Sequence, residues 1–248
     1  MTETPGGPLR YSKKELKALE AARSWAGAHG MGFTALARVP RADAPFPPND
    51  AMRDDIAAAG ARTRSERNRA IADSIKADFD SDLNAFHVMH GRRRELQVSV
   101  QQFGATAGAP ALAVRGGGAN RIPPAWEPEA CYSVSAAVWG PVPFLACGPP
   151  RTVRDWASRS ALGPVEFADG RPGKGLAACA ADTRLAEAVL THEVVSRLRA
   201  SDGFKRTALV LHGRRCHLVR FGRVDTEALD GLLDLLADLH RLLPERLR

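Results

Sequence analysis

The stretch from Asp182 to Leu243 constrains the fold more than any other part of the chain. After Asp182, a residue type that caps helix N-termini, apolar residues recur at helical spacing up to Leu198. The segment 201–203, Ser-Asp-Gly, is typical of a helix stop. A second helical stripe, made of leucines, follows Asp225 and ends before Pro244. The stretch therefore predicts two amphipathic helices.

Between these helices the sequence predicts a β-hairpin. Residues 207–212 and 216–221 have strand character, and Gly213-Arg214-Arg215 has the composition of a turn. Leu235 and Leu242 widen the apolar stripe of the last helix. Such a wide stripe predicts either deep packing or a contact with a second copy of the chain, as in a homodimer.

The remaining sequence predicts an α+β fold of antiparallel hairpins packed against helices. We expect helices at 12–30 and 151–161, with one or two more within 53–79. We expect strands at 31–39, 85–89, 96–103, 130–138 and 144–147, with His90 to Arg94 as a turn. Residues 1–11 are predicted to be a flexible tail, and residues 12–248 a single domain. Within it, 40–49 is a proline-rich connector and 104–128 a long glycine- and proline-rich loop.

Charge and cysteine usage indicate the compartment and the partners. The 248 residues carry a net charge of +7, which favours anionic partners. Residues 1–10 lack the order of a signal peptide, and no apolar run is long enough to cross a membrane. The four cysteines are dispersed, which is typical of reduced structural thiols. These features predict a cytoplasmic protein.

A short basic motif occurs twice. The sequence VMHGRR begins at Val88 and VLHGRR begins at Val210, both at predicted hairpin turns. If the two turns lie on one side of the molecule, their arginines form a patch able to hold phosphates. The alternative is that both are ordinary solvated turns. The candidate anion-binding residues are Arg92, Arg93, Arg94, Arg214 and Arg215.

Metal and phosphate motifs are incomplete. The segment from Asp78 to Asn84 places acidic residues as a calcium loop does, but Leu83 and Met89 stand where that loop needs Gly and Glu. The glycine-rich loop 170–175 departs from the phosphate-binding motif.

Histidine pairs give no clear metal site either. His87 and His90 are three apart on a strand and so point to opposite faces. His212 and His217 flank the predicted turn without the further ligands that zinc requires. We predict no metal, no cofactor and no catalytic residue.

The order of elements resembles a family of uncharacterised proteins from high-GC bacteria built around a domain of unknown function. The resemblance rests on GMGF after the first helix, FHVMHGR from Phe86, GPVPFL from Gly140, ADTRLAEAVL from Ala181 and GRVD from Gly222. This sequence departs from the pattern at 177–181, where small residues replace an aromatic one. The resemblance implies a shared fold and carries no activity with it.

Three functions are compatible with the sequence. The favoured hypothesis is a non-catalytic binding or regulatory module, because the chain is well patterned for folding without a recognisable chemical motif. The second is a binder of anionic surfaces, nucleic acid or acidic membrane, through the arginine-rich turns. The third is an enzyme whose site joins distant residues, such as His212 or His217 with a carboxylate.

Overall fold

The structure, a computed structural model, describes residues 13–46, 83–103, 131–160 and 162–248, together with Glu66 and Arg69. Within these ranges helices pack on an antiparallel sheet, so the predicted α+β class is confirmed. The predicted tail, the long 104–128 loop and the calcium-like segment up to residue 82 lie outside the described residues. So do the predicted helices of 53–79, apart from Glu66 and Arg69.

The described elements follow one another in a mixed order. The helices are α1 (Lys13–Ala28), α2 (Pro150–Arg159), α3 (Thr183–Val189), α4 (His192–Ala200) and α5 (Thr226–Leu242). The strands are β1 (Gly32–Val39), β2 (Leu83–Arg93), β3 (Leu96–Phe103), β4 (Cys131–Gly148), β5 (Gly163–Pro164), β6 (Ala177–Ala180) and β7 (Thr207–Phe221). Single 3-10 turns occur at Arg41–Asp43, Phe204–Arg206 and Glu245–Leu247.

The long strand β4 organises the sheet. The strand order is β1-β2-β3-β4-β6-β5, and β7 pairs with the other side of β4. The first part of β4 pairs with β3, from Cys131 to Ala136, and its last part pairs with β6. All pairings between the described strands are antiparallel.

Two glycine-containing segments predicted as turns lie within strands. The segment 213–215 does not form a hairpin turn, because residues 207–221 run as one strand along β4. The first hairpin does form, but it turns at Arg94 and Glu95, so His90 to Arg93 belong to β2. A glycine with positive φ serves a bend within a strand as well as a turn, and Gly213 has a φ of +58°. The residue type alone therefore does not separate the two structures.

Two further predictions differ in their boundaries. The two strands predicted at 130–138 and 144–147 are one strand, β4, with a register shift against β7 between Ala137 and Val142. The single helix predicted after Asp182 is divided into α3 and α4, because Thr191 caps a new helix and accepts a hydrogen bond from the Val194 N–H. Asp182 and Asp225 cap α3 and α5 as predicted.

The register shift coincides with a sharp bend of β4 and β7. Phe144 lies on β4, while Phe221 pairs with Cys131, thirteen residues earlier in that strand. A straight strand would separate these positions by about 43 Å. Yet the rings of both Phe144 and Phe221 lie 6.1 Å from the ring of Trp156. The two halves of the strand pair therefore curve toward each other around Trp156, and we call the enclosed side the concave face.

The opposite side, the helix face, carries the larger apolar core. Leucines of α5 and apolar residues of α1, α3 and α4 pack there against the sheet. His240 of α5 donates from Nε2 to the Ala137 carbonyl of β4 over 2.9 Å. Leu235 is buried and Leu242 packs against the same core, so the chain itself uses both leucines that widen the stripe.

Candidate functional site

Polar side chains alternate along the strands on the concave face. Ser99 of β3 is aligned with Ser135 of β4, which is aligned with His217 of β7. The same row includes His90 of β2, which is aligned with Ser99. Because alternate residues of a strand share a face, their neighbours two positions away lie beside them. We call this set the polar strip; its members are His90, Arg92, Ser99, Gln101, Ser133, Ser135, Arg215 and His217.

The polar strip runs from an exposed end to a buried end. His90 and Arg92 are exposed at the β2 end of the strip, and Arg215 is half-buried. Ser133, Ser135 and His217 are fully buried on β4 and β7, whereas apolar residues dominate the rest of the concave face. The strip is therefore a polar path into an otherwise apolar surface.

Two hydrogen bonds cross between β4 and β7 within the strip. Ser133 Oγ and His217 Nδ1 lie 3.0 Å apart. Arg215 donates from Nη1 to Ser135 Oγ over 3.1 Å. These contacts fix the rotamers of both β7 side chains, so the strip presents a defined set of polar groups.

Three buried polar atoms of the strip lack a hydrogen-bond partner within the part of the chain that the structure describes. They are Ser99 Oγ, Gln101 Oε1 and His217 Nε2. Their residues are 2%, 4% and 0% exposed. Leaving a buried polar group unpaired costs about 1–3 kcal/mol, so such groups need a reason in a native structure. A bound ligand supplying the missing partners is one such reason.

The electrostatics of the strip are basic. None of the seven strands in the described ranges contains Asp or Glu, whereas they contain arginines and histidines on both faces. Burial lowers the pKa of His217 well below its usual range, and the charge of Arg215 and the nearby His212 act in the same direction. Partial burial, then Arg215, also lowers the pKa of His90. Both imidazoles are therefore neutral at pH 7, and the charge of Arg215 contributes to the lowered pKa of each.

The structure divides the predicted arginine patch between the two sides of the sheet. Gly91, Val98, Ala136 and Cys216 are aligned in one row, which places the adjacent Arg92 and Arg215 in the next row on the concave face. The two HGRR motifs therefore do reach the same part of the sheet, separated by β3 and β4.

The other arginines of the predicted patch have different surroundings. Arg93 binds Asp234 of α5 through Nε and Nη2, at 3.0 and 2.8 Å. Arg94 binds Asp238 at 2.7 Å, and Arg214 is exposed. Anion binding by these five arginines stays a prediction, with Arg92 and Arg215 the two that share the polar strip.

The other candidate residues that the sequence indicated, two histidines and the glycine-rich loop, form hydrogen bonds within the fold. His87 has a φ of +48° at a bulge of β2, and its Nδ1 donates to Gln102 Oε1 over 3.2 Å. His212 Nδ1 donates to the Ala44 carbonyl over 3.0 Å. No group of three metal-ligating side chains occurs within the described ranges. Arg199 of α4 fixes the glycine-rich loop by donating to the carbonyls of Pro172 and Lys174.

The cysteines lie in the protein interior. All four are buried, and none forms a disulfide. Burial raises the pKa of Cys147 to about 12, of Cys179 to about 11 and of Cys216 to about 12. These three thiols are therefore protonated and poor nucleophiles at neutral pH.

A recess of about 300 Å³ lies on the helix side, between α4 and α5. Its lining mixes charges of both signs, including Arg197, Arg220, Asp202 and Glu227. Arg197 is already paired with Asp238 of α5. This recess therefore has a less distinctive chemistry than the polar strip.

Sequence reasoning did not identify Ser99, Gln101, Ser133 or Ser135 as site residues. The available signal was polar residues at alternate positions, as in Val98-Ser99-Val100-Gln101. That pattern is typical of a solvated strand face, and the structure instead buries these residues. His217 was identified, but as a flank of a hairpin turn that does not form.

Fold and site define an α+β protein with a bent antiparallel sheet that carries a polar strip on its concave face. The chain is similar in structure to the mycobacterial trehalose monomycolate transport factor A, TtfA, as seen in a crystal structure. The TM-score is 0.53 at 10% sequence identity, over 92% of this chain and 96% of that one. At this identity the likeness shows a shared fold.

Comparisons with protein-family models and with curated proteins found no match, which agrees with the resemblance to an uncharacterised family. Among the described helices, none has the length and apolar character needed to span a bilayer.

Proposed function

We propose that the protein is a non-catalytic binding module and that the polar strip is its ligand site. The observation that carries the proposal is the group of three unpartnered buried atoms, Ser99 Oγ, Gln101 Oε1 and His217 Nε2. All three lie on the concave face: Ser99 and Gln101 are two apart on β3, and His217 of β7 is aligned with Ser99 across Ser135 of β4. A ligand with donors and acceptors at matching positions would replace the hydrogen bonds that these atoms lost on folding.

The rigidity of the surroundings supports this proposal. The strip lies on four paired strands, and its Ser133–His217 and Ser135–Arg215 hydrogen bonds preorganise the site. Sites on strands hold their groups more accurately than sites on loops. The chemistry required is that of hydrogen-bond recognition, with no covalent step.

Native mass spectrometry of the gently purified full chain tests this function. We expect a small molecule bound to the folded wild-type protein and released when the protein is denatured. Ser99→Leu places an isobutyl group in the strip and is expected to abolish the bound mass. Ser158→Leu, on the exposed side of α2, is the matched control and is expected to retain it. A wild-type protein with no bound molecule, or equal occupancy in both variants, would contradict the proposal.

Binding of an extended anionic surface is a second candidate, with narrower support. Arg93 and Arg94 are engaged by aspartates of α5, which leaves Arg92 and Arg214 as the exposed arginines of the two motifs. A salt titration of binding to nucleic acid and to acidic vesicles tests it. Affinity that is insensitive to salt, or unchanged in the Arg92→Gln, Arg214→Gln double variant, would contradict this candidate.

We also propose a cytoplasmic location. Its support is the burial of all four cysteines without a disulfide, as suits a reducing compartment. Fractionation of cells that produce the full chain tests the location, and recovery outside the cytoplasmic fraction would contradict it.

A further inference from the structure

Resting on the proposed function, we infer that the ligand of the polar strip is a small oxyanion, a carboxylate or a phosphate, held by Arg215 and Ser99. The strip joins a guanidinium and unpaired hydrogen-bonding groups on a sheet whose described strands contain no Asp or Glu. Each of these three observations contributes a separate part of the inference.

Several hydrogen-bond donors of the Arg215 guanidinium remain available to a ligand. Within the described part of the chain, Nη1 donates to Ser135 Oγ at 3.1 Å, which uses one of its five N–H groups. No Asp or Glu pairs with Arg215 among those residues, in contrast to Arg93 and Arg94. A half-buried arginine without a carboxylate partner leaves its planar donor set available to an oxyanion, which it matches in shape.

The unpaired atoms supply complementary groups. Ser99 Oγ donates a hydrogen bond to an oxyanion. When Ser133 donates to Nδ1 of neutral His217, the ring carries its proton on Nε2, which becomes a further donor. Gln101 Oε1 accepts from a hydroxyl of the ligand, such as that of hydrogen phosphate or of a hydroxy acid. The strip therefore favours an anion over a cation.

The charge of the sheet favours the same class of ligand. The strands that the structure describes lack Asp and Glu, and Arg92 lies at the exposed end of the strip. Among the described elements that border the concave face, Asp43 lies beside Gly213 at the bend and Asp155 is exposed on α2. Arg92 and Arg215 lie in the same row of the concave face, so both charges favour an anion there.

Titration of the full chain with inorganic phosphate, acetate and sucrose tests this inference. The readout is the imidazole ¹⁵N signal of His217, which is fully buried and insensitive to ions on the outer surface. We expect a saturable shift with phosphate or acetate and none with sucrose. The relative affinities of the first two distinguish a phosphate site from a carboxylate site.

Matched variants locate the anion. Arg215→Gln is expected to weaken binding by about tenfold or more, because a charge-assisted hydrogen-bond pair is lost. Arg214→Gln removes the same charge from the adjacent, exposed position and is expected to change affinity by less than about twofold. Arg92 is exposed, so Arg92→Gln is expected to fold and to weaken binding by a few-fold. This variant provides the test if Arg215→Gln does not fold.

Distinct results overturn the inference. An absent shift with both anions, or equal losses in Arg214→Gln and Arg215→Gln, excludes a site at Arg215. If a neutral molecule is then found bound by native mass spectrometry, the proposed function stands and the anion assignment falls. If no molecule is found by either method, both fall.

Discussion

Two buried serines of the polar strip differ in whether their hydroxyl has a partner among the described residues. Ser133 Oγ lies 3.0 Å from Nδ1 of buried His217, whereas Ser99 Oγ has no partner among the described residues. Both are buried on the same face, at 0% and 2% exposure. Substituting Ser133 therefore reports the stability lost when a buried hydrogen bond is broken. Substituting Ser99 reports the effect on stability of removing a buried hydroxyl that has no partner.

We expect Ser133→Ala to destabilise the ligand-free protein by about 1–3 kcal/mol, because it leaves Nδ1 of His217 unpaired. Ser99→Ala should change the stability by less than about 0.5 kcal/mol, or raise it, because the hydroxyl removed has no partner to lose. Urea unfolding of both variants measures the difference. Similar destabilisation by the two substitutions would show that Ser99 is hydrogen-bonded within the protein.

At the scale of elements, an ion-pair ladder joins α5 to the β2–β3 hairpin. Asp230, Asp234 and Asp238 are spaced four apart on one face of α5 and face Arg93 and Arg94. The hydrogen bond from Arg94 holds the pKa of Asp238 well below its usual range, and bonds from Arg197 and Arg241 add to this effect against the opposing influence of burial. The ladder thus holds the tip of the hairpin to the last helix.

Asp238→Asn should destabilise the protein by about 1–2 kcal/mol near neutral pH, since charged hydrogen bonds are lost. The folded-state pKa of Asp238 lies below its unfolded value of about 3.9, so its contribution is present above that pH and is lost as the pH falls through the folded pKa. The stability gap between wild type and variant should therefore be constant from neutral pH down to about pH 5 and narrow below about pH 4.

Asp230→Asn is the control for this prediction, because the same substitution is expected to cause a smaller loss of stability. Asp230 is 43% exposed, and its pairs with Arg93 and His29 are longer, at 3.2 and 3.3 Å. Its loss should cost less than about 0.5 kcal/mol. A gap for Asp238→Asn that is independent of pH down to pH 2 would mean that the effect does not come from its charge.

The bend of β7 depends on Gly213. A Cβ at this position would lie 1.9 Å from the Ala42 carbonyl oxygen, and the φ of +58° disfavours any side chain. Gly213→Ala should cost at least about 2 kcal/mol in urea unfolding. Gly231→Ala, on α5 with no neighbour within 4 Å, should instead stabilise by about 0.5–1 kcal/mol. A neutral Gly213→Ala variant would show that β7 does not bend against residues 41–44.

At the scale of the whole molecule, sequence patterns predicted what local chemistry determines. The caps Asp182 and Asp225 and the leucine stripe of α5 depend on neighbouring residues, and the structure contains them where predicted. The Gly213 bend and the burial of Ser99, Gln101, Ser133 and Ser135 depend on packing between residues far apart in sequence. A glycine suits a bend or a turn, and a serine alternating with valines suits either face of a sheet, so the sequence leaves both open.

The placement of the arginines also depends on contacts between residues far apart in sequence. The repeated HGRR motif is visible in the sequence, but the register of β2, β3, β4 and β7 decides that Arg92 and Arg215 share the concave face. The aspartates of α5 decide that Arg93 and Arg94 are paired. The proposed function therefore requires that ligand groups complete the hydrogen bonding of the sheet on the concave face.

A high-resolution crystal structure of the gently purified full chain tests that claim most directly. We expect a small non-protein molecule whose polar atoms lie within 3.5 Å of at least two of the three unpaired atoms, Ser99 Oγ, Gln101 Oε1 and His217 Nε2. Side chains of the protein itself bonded to all three atoms, with no bound molecule, would contradict it.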